Sequence, residues 1–441
     1  LAGLAMVGAG AVGTGVQAAD SNSATTMNSS KQINVWATTP ENNATARGSG
    51  SGTANANDVR ESQYGDEISV AIGAKNVVRS TDTANQGGGS SVALGNKNTL
   101  KGNRNVAVGT GNKTYGEDSI AVGSNVTVAT GRGIAIGNDY NNTHTIAYGA
   151  GEPSETGVTG NAFALAIGNG AQADGRANNA SGGIAIGQDV KATHKNTIAM
   201  GVQAKATGAQ AIAFGTGANA SSSGTVAIGQ VSSATQYAAL AFGNQSAASG
   251  QSSVAVGRKS KASEFGTVAL GYGAEATGKQ SIAIGGDEYG STYQPGIEDG
   301  AGKTTTASAD NAIALGHNAN ANIAGGVALG SESKTTVAAG VIGYNPADSR
   351  TNKYSTQAGA VGTSTLAAVS IGEGVTKTRQ LTGLAAGKED TDAVNVAQLK
   401  NVNLKYAADT GNSDVLLKDG TLTVNGDNDI ISTSVESNGA I

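Results

Sequence analysis

Apolar and polar positions along most of this chain are organised by one four-residue signature: aliphatic, Ala, large apolar, Gly. It reads "VAIG" ending at Gly73, "VALG" at Gly95, "VAVG" at Gly109 and "IAVG" at Gly123, and it returns seventeen times, the last at Gly330. From Gly187 to Gly285 the spacing is 14 residues, seven times in succession, and Gly95 to Gly137 holds the same period. Strand side chains alternate between two faces, so Ile212 and Phe214 share one face and Ala211 and Ala213 the other. Neither face is polar, which predicts a strand buried on both sides. A second, shorter strand follows each signature glycine. Its central position is Ala at 192, 206, 220, 234, 248, 262 and 276, and the residue before is usually polar: Lys191, Lys205, Asn219, Ser233, Lys261, Glu275. This strand has a small inward face and a wet outward one.

Two strands and two turns per period predict an all-β chain, a parallel β-roll (β-solenoid) of about 14 residues per coil, with Ala241 among the small buried positions. The signature glycine permits positive φ at the corner. Coils stack at ~4.8 Å, so seventeen signatures predict a rod of roughly 80 Å. In this reading the large apolar residues fill the coil and the alanine face of the first strand needs a partner chain. A thin coil touches mainly its neighbours and buries little alone. The period widens around 150–163, 169–183 and most at 286–311. Such insertions usually form loops on one side of a solenoid and are often its binding face. Tyr289, Tyr293 and Lys303 in the longest insertion are therefore candidate ligand-binding residues, because exposed tyrosines suit interfaces.

Composition agrees. Of 441 residues, 67 are Gly, about twice the usual share, and 14% are charged against about 25% in ordinary domains. Four Phe and one Trp make no large aromatic core, and glycine lacks the every-third spacing of collagen. A net charge of −5 gives no basic footprint for nucleic acid. The absence of Cys removes disulfides and thiolate chemistry. The opening "LAGLAMVGAGAVG" contains G-x-G-x-x-G, but no helical periodicity follows, and a dinucleotide fingerprint needs a strand before it and a helix after it. The segment fits a truncated secretory signal over 1–18, with Val16-Gln17-Ala18 as a small-x-small cleavage site. A polar segment follows over 19–67. Elsewhere no apolar run of 18 residues predicts a membrane-spanning helix.

Towards the C-terminus the pattern gives way to "RQLTGLAAGKEDTDAVNVAQLK", residues 379–400. Asp390, Thr391 and Asp392 offer N-cap chemistry for a short helix, with acidic charge suited to its N-terminus. Val396, Leu399 and Val402 then form an apolar seam. The repeats "NTIAMG", "SSVAVG" and "QSIAIG", followed by this segment, resemble the trimeric autotransporter adhesins, the YadA-like family. Their neck motif is similar to Arg379, Gln380 and Leu381, then Asp392, Ala393, Val394 and Asn395, then Gln398 and Leu399.

The resemblance implies a left-handed parallel β-roll head over 68–378 in a homotrimer, a short helical neck over 379–403, and the start of a further β-rich stalk or head module over 404–441. It implies a non-enzymatic adhesin without cofactor or metal. Such a protein is secreted across the inner membrane and displayed on the bacterial outer membrane. Its partners would be its own copies, host extracellular matrix proteins (collagen or fibronectin type), host cell surfaces or other bacteria. Contact with the membrane would run only through a C-terminal anchor outside this segment.

Other chemistry is weaker. "GIEDGAGKTT" lacks the first glycine of a phosphate-binding loop, since position 297 is Ile. His144, His194 and His317 fall at different phases of the repeat, so they do not converge as a metal or acid–base cluster would. Hexapeptide-repeat acyltransferases, also left-handed β-helices, have a shorter repeat and no such neck. A non-adhesive structural spacer is a third reading. An ice-binding face would need a flat threonine array, whereas the outward position carries Lys, Asn, Ser and Glu.

Overall fold

The computed structural model describes residues 35–37, 58–60, 70–79, 91–129, 131–138, 145–148, 163–174, 182–286, 304–343, 363–389, 391–407, 412–416 and 423. His144, Tyr289, Tyr293, Lys303, Asp390 and the 1–18 segment lie outside them. The described strands of the roll form two long parallel sheets of 18 and 16 strands, and the chain alternates between them from Val35–Ala37 to Val327–Leu329. The first sheet holds sixteen of the seventeen signature strands in one register, with Ile198 beside Ile212, then Val226, Leu240, Val254 and Val268. The signature before Gly149 is the exception, because Ile146–Tyr148 pairs in the second sheet with Thr127–Ala129 and Gln172–Asp174. The second sheet stacks Ala192, Ala206, Ala220, Ala234, Ala248, Ala262 and Ala276. Residues 35–37 add one antiparallel strand against Val70–Ala74.

The interior differs from the sequence reading in one respect. Ala213, Ala227, Ala241 and Ala255 of the first sheet are fully buried, as are the alanines of the second sheet. The large apolar residues point outward, and Phe214 and Phe242 are each 50% exposed. Alanine therefore fills the coil, and the large side chains need the partner. The reason is width: two strands of two or three residues joined by tight corners enclose room for one small side chain from each sheet. The earlier coils are wider, and their second sheet points Val78, Leu100, Thr114 and Val128 inward.

Each corner is closed by repeated backbone and side-chain bonds. Gly243 has φ +138, and a Cβ there would lie 2.5 Å from the carbonyl oxygen of Gly257 in the next coil. Three residues beyond the glycine, buried hydroxyls satisfy signature carbonyls: Ser232 Oγ donates to Gly229 O at 2.9 Å and Ser246 Oγ to Gly243 O at 3.0 Å. Wider coils place asparagine at the same position. Asn98 Nδ2 donates to Gly109 O at 3.0 Å while its Oδ1 accepts from Asn112 N at 3.1 Å. A buried polar group is tolerated when paired in this way.

The stack continues across the insertions. Ile282–Ile284 pairs directly with Ile313–Leu315, and Glu275 with Thr306, across the 287–303 insertion. That insertion departs from the corner after the first sheet, whereas 149–162 and 175–181 depart after the second. The expectation of a single insertion-bearing side is corrected accordingly. At the far end Val369–Ser370 adds to Val327–Ala328, and Lys377 Nζ meets Glu332 at 2.9 Å and Glu373 at 3.6 Å. The hydrogen bond to Glu332 raises the Lys377 pKa above the ordinary lysine value.

Residues 338–366 and 378–441 form a separate compact unit. Its helix is five residues, Val396–Lys400, and a hairpin pairs Asn403–Ala407 with Asn412–Leu416.

Candidate functional site

The roll presents two unlike outer faces. On the first sheet the outward positions form two unbroken apolar rows. One runs Ile212, Val226, Leu240, Val254; the other runs Phe214, Ile228, Phe242, Val256, Leu270. Leu270, Leu315 and Leu329 are exposed as well. Contiguous apolar rows of this length mark an association surface rather than a solvated one.

The second sheet is polar outside. Lys191, Lys205 and Lys261 are exposed, with Asn219, Ser233 and Glu275 half-buried at the equivalent position. A row of hydroxyl residues lies two residues on, and the sequence reading passed over it: Thr193, Thr207, Ser221, Thr235, Ser249, Ser263, Thr277 and Ser308, of which Ser221, Ser249 and Ser308 are exposed. Every one of these eight coils carries a hydroxyl there. The backbone keeps the row in line, since Thr207 N donates to Ala220 O at 2.9 Å and Ser249 N to Ala262 O at 2.8 Å. The signal was present in the period, at the residue after each inward alanine.

Charge is concentrated at the corners. Arg104, Asp118 and Arg132 follow one another in successive coils, and Arg104 Nη2 donates to Asp118 at 3.1 Å. The hydrogen bond from Arg104 holds the Asp118 carboxyl below the ordinary carboxylate range. His194 sits at the corner after the second sheet and His317 at the opposite corner, so these two do not converge. Among the described residues no cluster of His, Asp and Glu could hold a metal ion.

In the neck segment the helix is capped by Asn395, not by the Asp390–Asp392 run. Asn395 Oδ1 accepts from Gln398 N at 2.9 Å, and Gln398 Oε1 accepts from Asn395 N at 3.2 Å, a reciprocal capping box. Asp392 instead accepts from the backbone N–H groups of Lys388 and Glu389, which lower its pKa in that order. The three-residue offset follows from chemistry: Asp392 finds its donors upstream, and the amide pair Asn395/Gln398 satisfies both sides of the helix start. Asn395 Nδ2 also donates to Leu384 O at 3.2 Å. Val394, Val396 and Leu399 are each about two-thirds exposed, so the neck too carries an apolar face without cover from its own chain. Ala393 is exposed beside them, and Arg379, Gln380 and Leu381 are exposed in the segment upstream.

Residues 106–125, 192–218, 206–232, 234–260, 248–264, 262–287 and 307–333 match the YadA head domain repeat. Residues 380–421 match the coiled stalk of trimeric autotransporter adhesin. Autotransporter adhesin BadA of Bartonella henselae is 42% identical over 113 residues, which are 25% of this chain and 3% of that protein. The chain thus spans a small part of this relative's length. The crystal structure of the collagen-binding domain of Yersinia adhesin YadA is 30% identical, covering 40% of this chain and 80% of that one, with a TM-score of 0.26.

Proposed function

The chain belongs to the trimeric autotransporter adhesins, and from that premise we propose that it forms the head and neck of a bacterial surface adhesin. Three rolls associate through the apolar faces of their first sheets and turn their polar second sheets outward. The observation that carries this reading is the contrast between the two faces, above all Phe214 and Phe242 standing half in water on a sheet with no polar row. The neck's exposed Val396 and Leu399 call for the same threefold cover. Attachment is non-catalytic and spread over the outer faces, so that weak contacts repeated on three chains add up. The protein is displayed on the outer membrane. Its partners are matrix proteins of collagen or fibronectin type, host cell surfaces or other bacteria.

Tyr289, Tyr293 and Lys303 remain the proposed loop contacts. Because coil pairing continues on both sides of 287–303, deleting those residues should leave melting unchanged while weakening attachment. A solid-phase panel of collagen, fibronectin and whole cells, run alongside sedimentation, tests the whole reading. Saturable attachment by a species of three chains is expected. A stable monomer, or a trimer that attaches to nothing, would favour the spacer reading.

A further inference from the structure

Outside the apolar rows of the first sheet, the corner after the second sheet carries two exposed aromatic side chains, Tyr237 (57%) and Phe265 (48%). They occupy the same place in the period, two coils apart, with Gln251 in the coil between. Backbone bonds fix that alignment: Ser252 N donates to Tyr237 O at 2.9 Å, Gly266 N to Gln251 O at 2.9 Å, and Gln280 N to Phe265 O at 2.8 Å. At ~4.8 Å per coil the two backbone positions lie roughly 9.6 Å apart along the roll.

We propose that this corner is a stacking site for an extended, uncharged, β-1,4-linked polysaccharide lying along the coil axis. The C–H face of a pyranose is apolar and packs on an aromatic ring, while its rim of hydroxyls needs donors and acceptors. In an extended β-1,4 chain alternate sugars turn over, so the same face returns after each disaccharide, a length close to that of two coils. Tyr237 and Phe265 then take alternate sugars. The exposed Gln251 amide and the exposed Ser249 hydroxyl reach the sugar between them.

Charge points to a neutral polymer. Exposed Glu264 and Lys279 flank Phe265 with opposite signs, so the patch offers no net attraction to an anionic chain. A peptide adding as a strand is disfavoured, because the backbone groups at this corner are already bonded to neighbouring coils. The inference rests on the adhesin reading only in needing this corner to stay outside the trimer contact.

Calorimetric titration of the whole chain with cellohexaose and chitohexaose tests it, with heparin and a collagen peptide as competing probes. Saturable binding of at least one neutral hexasaccharide is expected, and the matching disaccharide should bind far more weakly. Tyr237→Ala and Phe265→Ala should each weaken binding by at least about tenfold without changing melting, and Tyr237→Trp should retain it. Absence of hexasaccharide binding, or binding that survives the double alanine variant, overturns the proposal. So does binding of heparin or the peptide alone at this corner. A fall in oligomeric mass in either alanine variant would make the corner a subunit contact and overturn it equally. Sugar binding lost while matrix or cell attachment persists would sink this inference and leave the adhesin reading standing.

Discussion

The carboxamide of Gln398 and the peptide groups of Gly387 exchange two hydrogen bonds. Nε2 donates to the Gly387 carbonyl oxygen at 2.9 Å, and the Gly387 N–H donates to Oε1 at 3.0 Å. One side chain thereby ties the segment around Gly387 to the helix itself. A Cβ at Gly387 would lie 2.8 Å from the Asp392 Cβ, so the close approach also needs a residue without a side chain. Gln398→Ala removes both bonds and half of the capping box. The expected loss is about 1–2 kcal/mol per neck, read as an earlier neck transition in thermal melting that leaves the roll's own transition in place. Gln398→Glu should fare little better, because it sets a carboxylate against the Gly387 carbonyl.

Thr114 is fully buried between Leu100 and Val128, and its Oγ1 has no hydrogen-bond partner among the described residues. Thr114→Val keeps the shape and removes an unpaired hydroxyl from an apolar interior. A gain of about 1 kcal/mol per chain is expected. A lower melting temperature in this variant would mean that the hydroxyl has a partner after all.

Val231 adopts φ +55, a left-handed conformation that a β-branched residue avoids. Asn125 and Asn318 hold the equivalent corner position in other coils at φ +55. Val231→Asn should raise the melting temperature, relieving strain of about 1 kcal/mol. The same substitution at Val226, in the first sheet, should lower it.

Ala241 is fully buried inside the coil, with Ala227 and Ala255 on either side. Ala241→Asp places an unpaired charge there and should prevent cooperative folding, at a cost of several kcal/mol. Phe214→Asp with Phe242→Asp is the contrasting experiment, because those side chains point outward. Circular dichroism should still report the β-roll while sedimentation shows smaller species. Loss of both signals would return the large residues to the coil interior.

Asp118 offers a modest pH test. Its folded pKa is depressed, so its contribution is present above the unfolded carboxylate pKa and fades as pH falls through the lower folded value. The carboxylate is 35% exposed, which limits the effect to a few tenths of a kcal/mol. Wild type and Asp118→Asn should differ in melting temperature at pH 7, and the difference should shrink as pH falls below the ordinary carboxylate pKa towards the depressed folded one.

The sequence by itself determined the repeat, the coil length, the parallel stacking and the inward second-sheet alanines, because a 14-residue period with two alternating segments has few other ways to bury its apolar positions. It also carried the family resemblance and the neck residues Asn395 and Gln398. Only the tertiary structure decided which face of the first strand turns inward. Ile212–Ala213–Phe214 is apolar on both faces, so the sequence pattern alone leaves the choice open, and coil width settles it: alanine fits between the sheets and phenylalanine does not. The helix cap moved from Asp392 to Asn395 for a related reason, since both can accept from a free N–H and only the folded path shows which donors lie in reach. The aromatic pair at Tyr237 and Phe265 became visible in the same way, because residues 28 apart in the chain become near neighbours only once the coils are stacked in register.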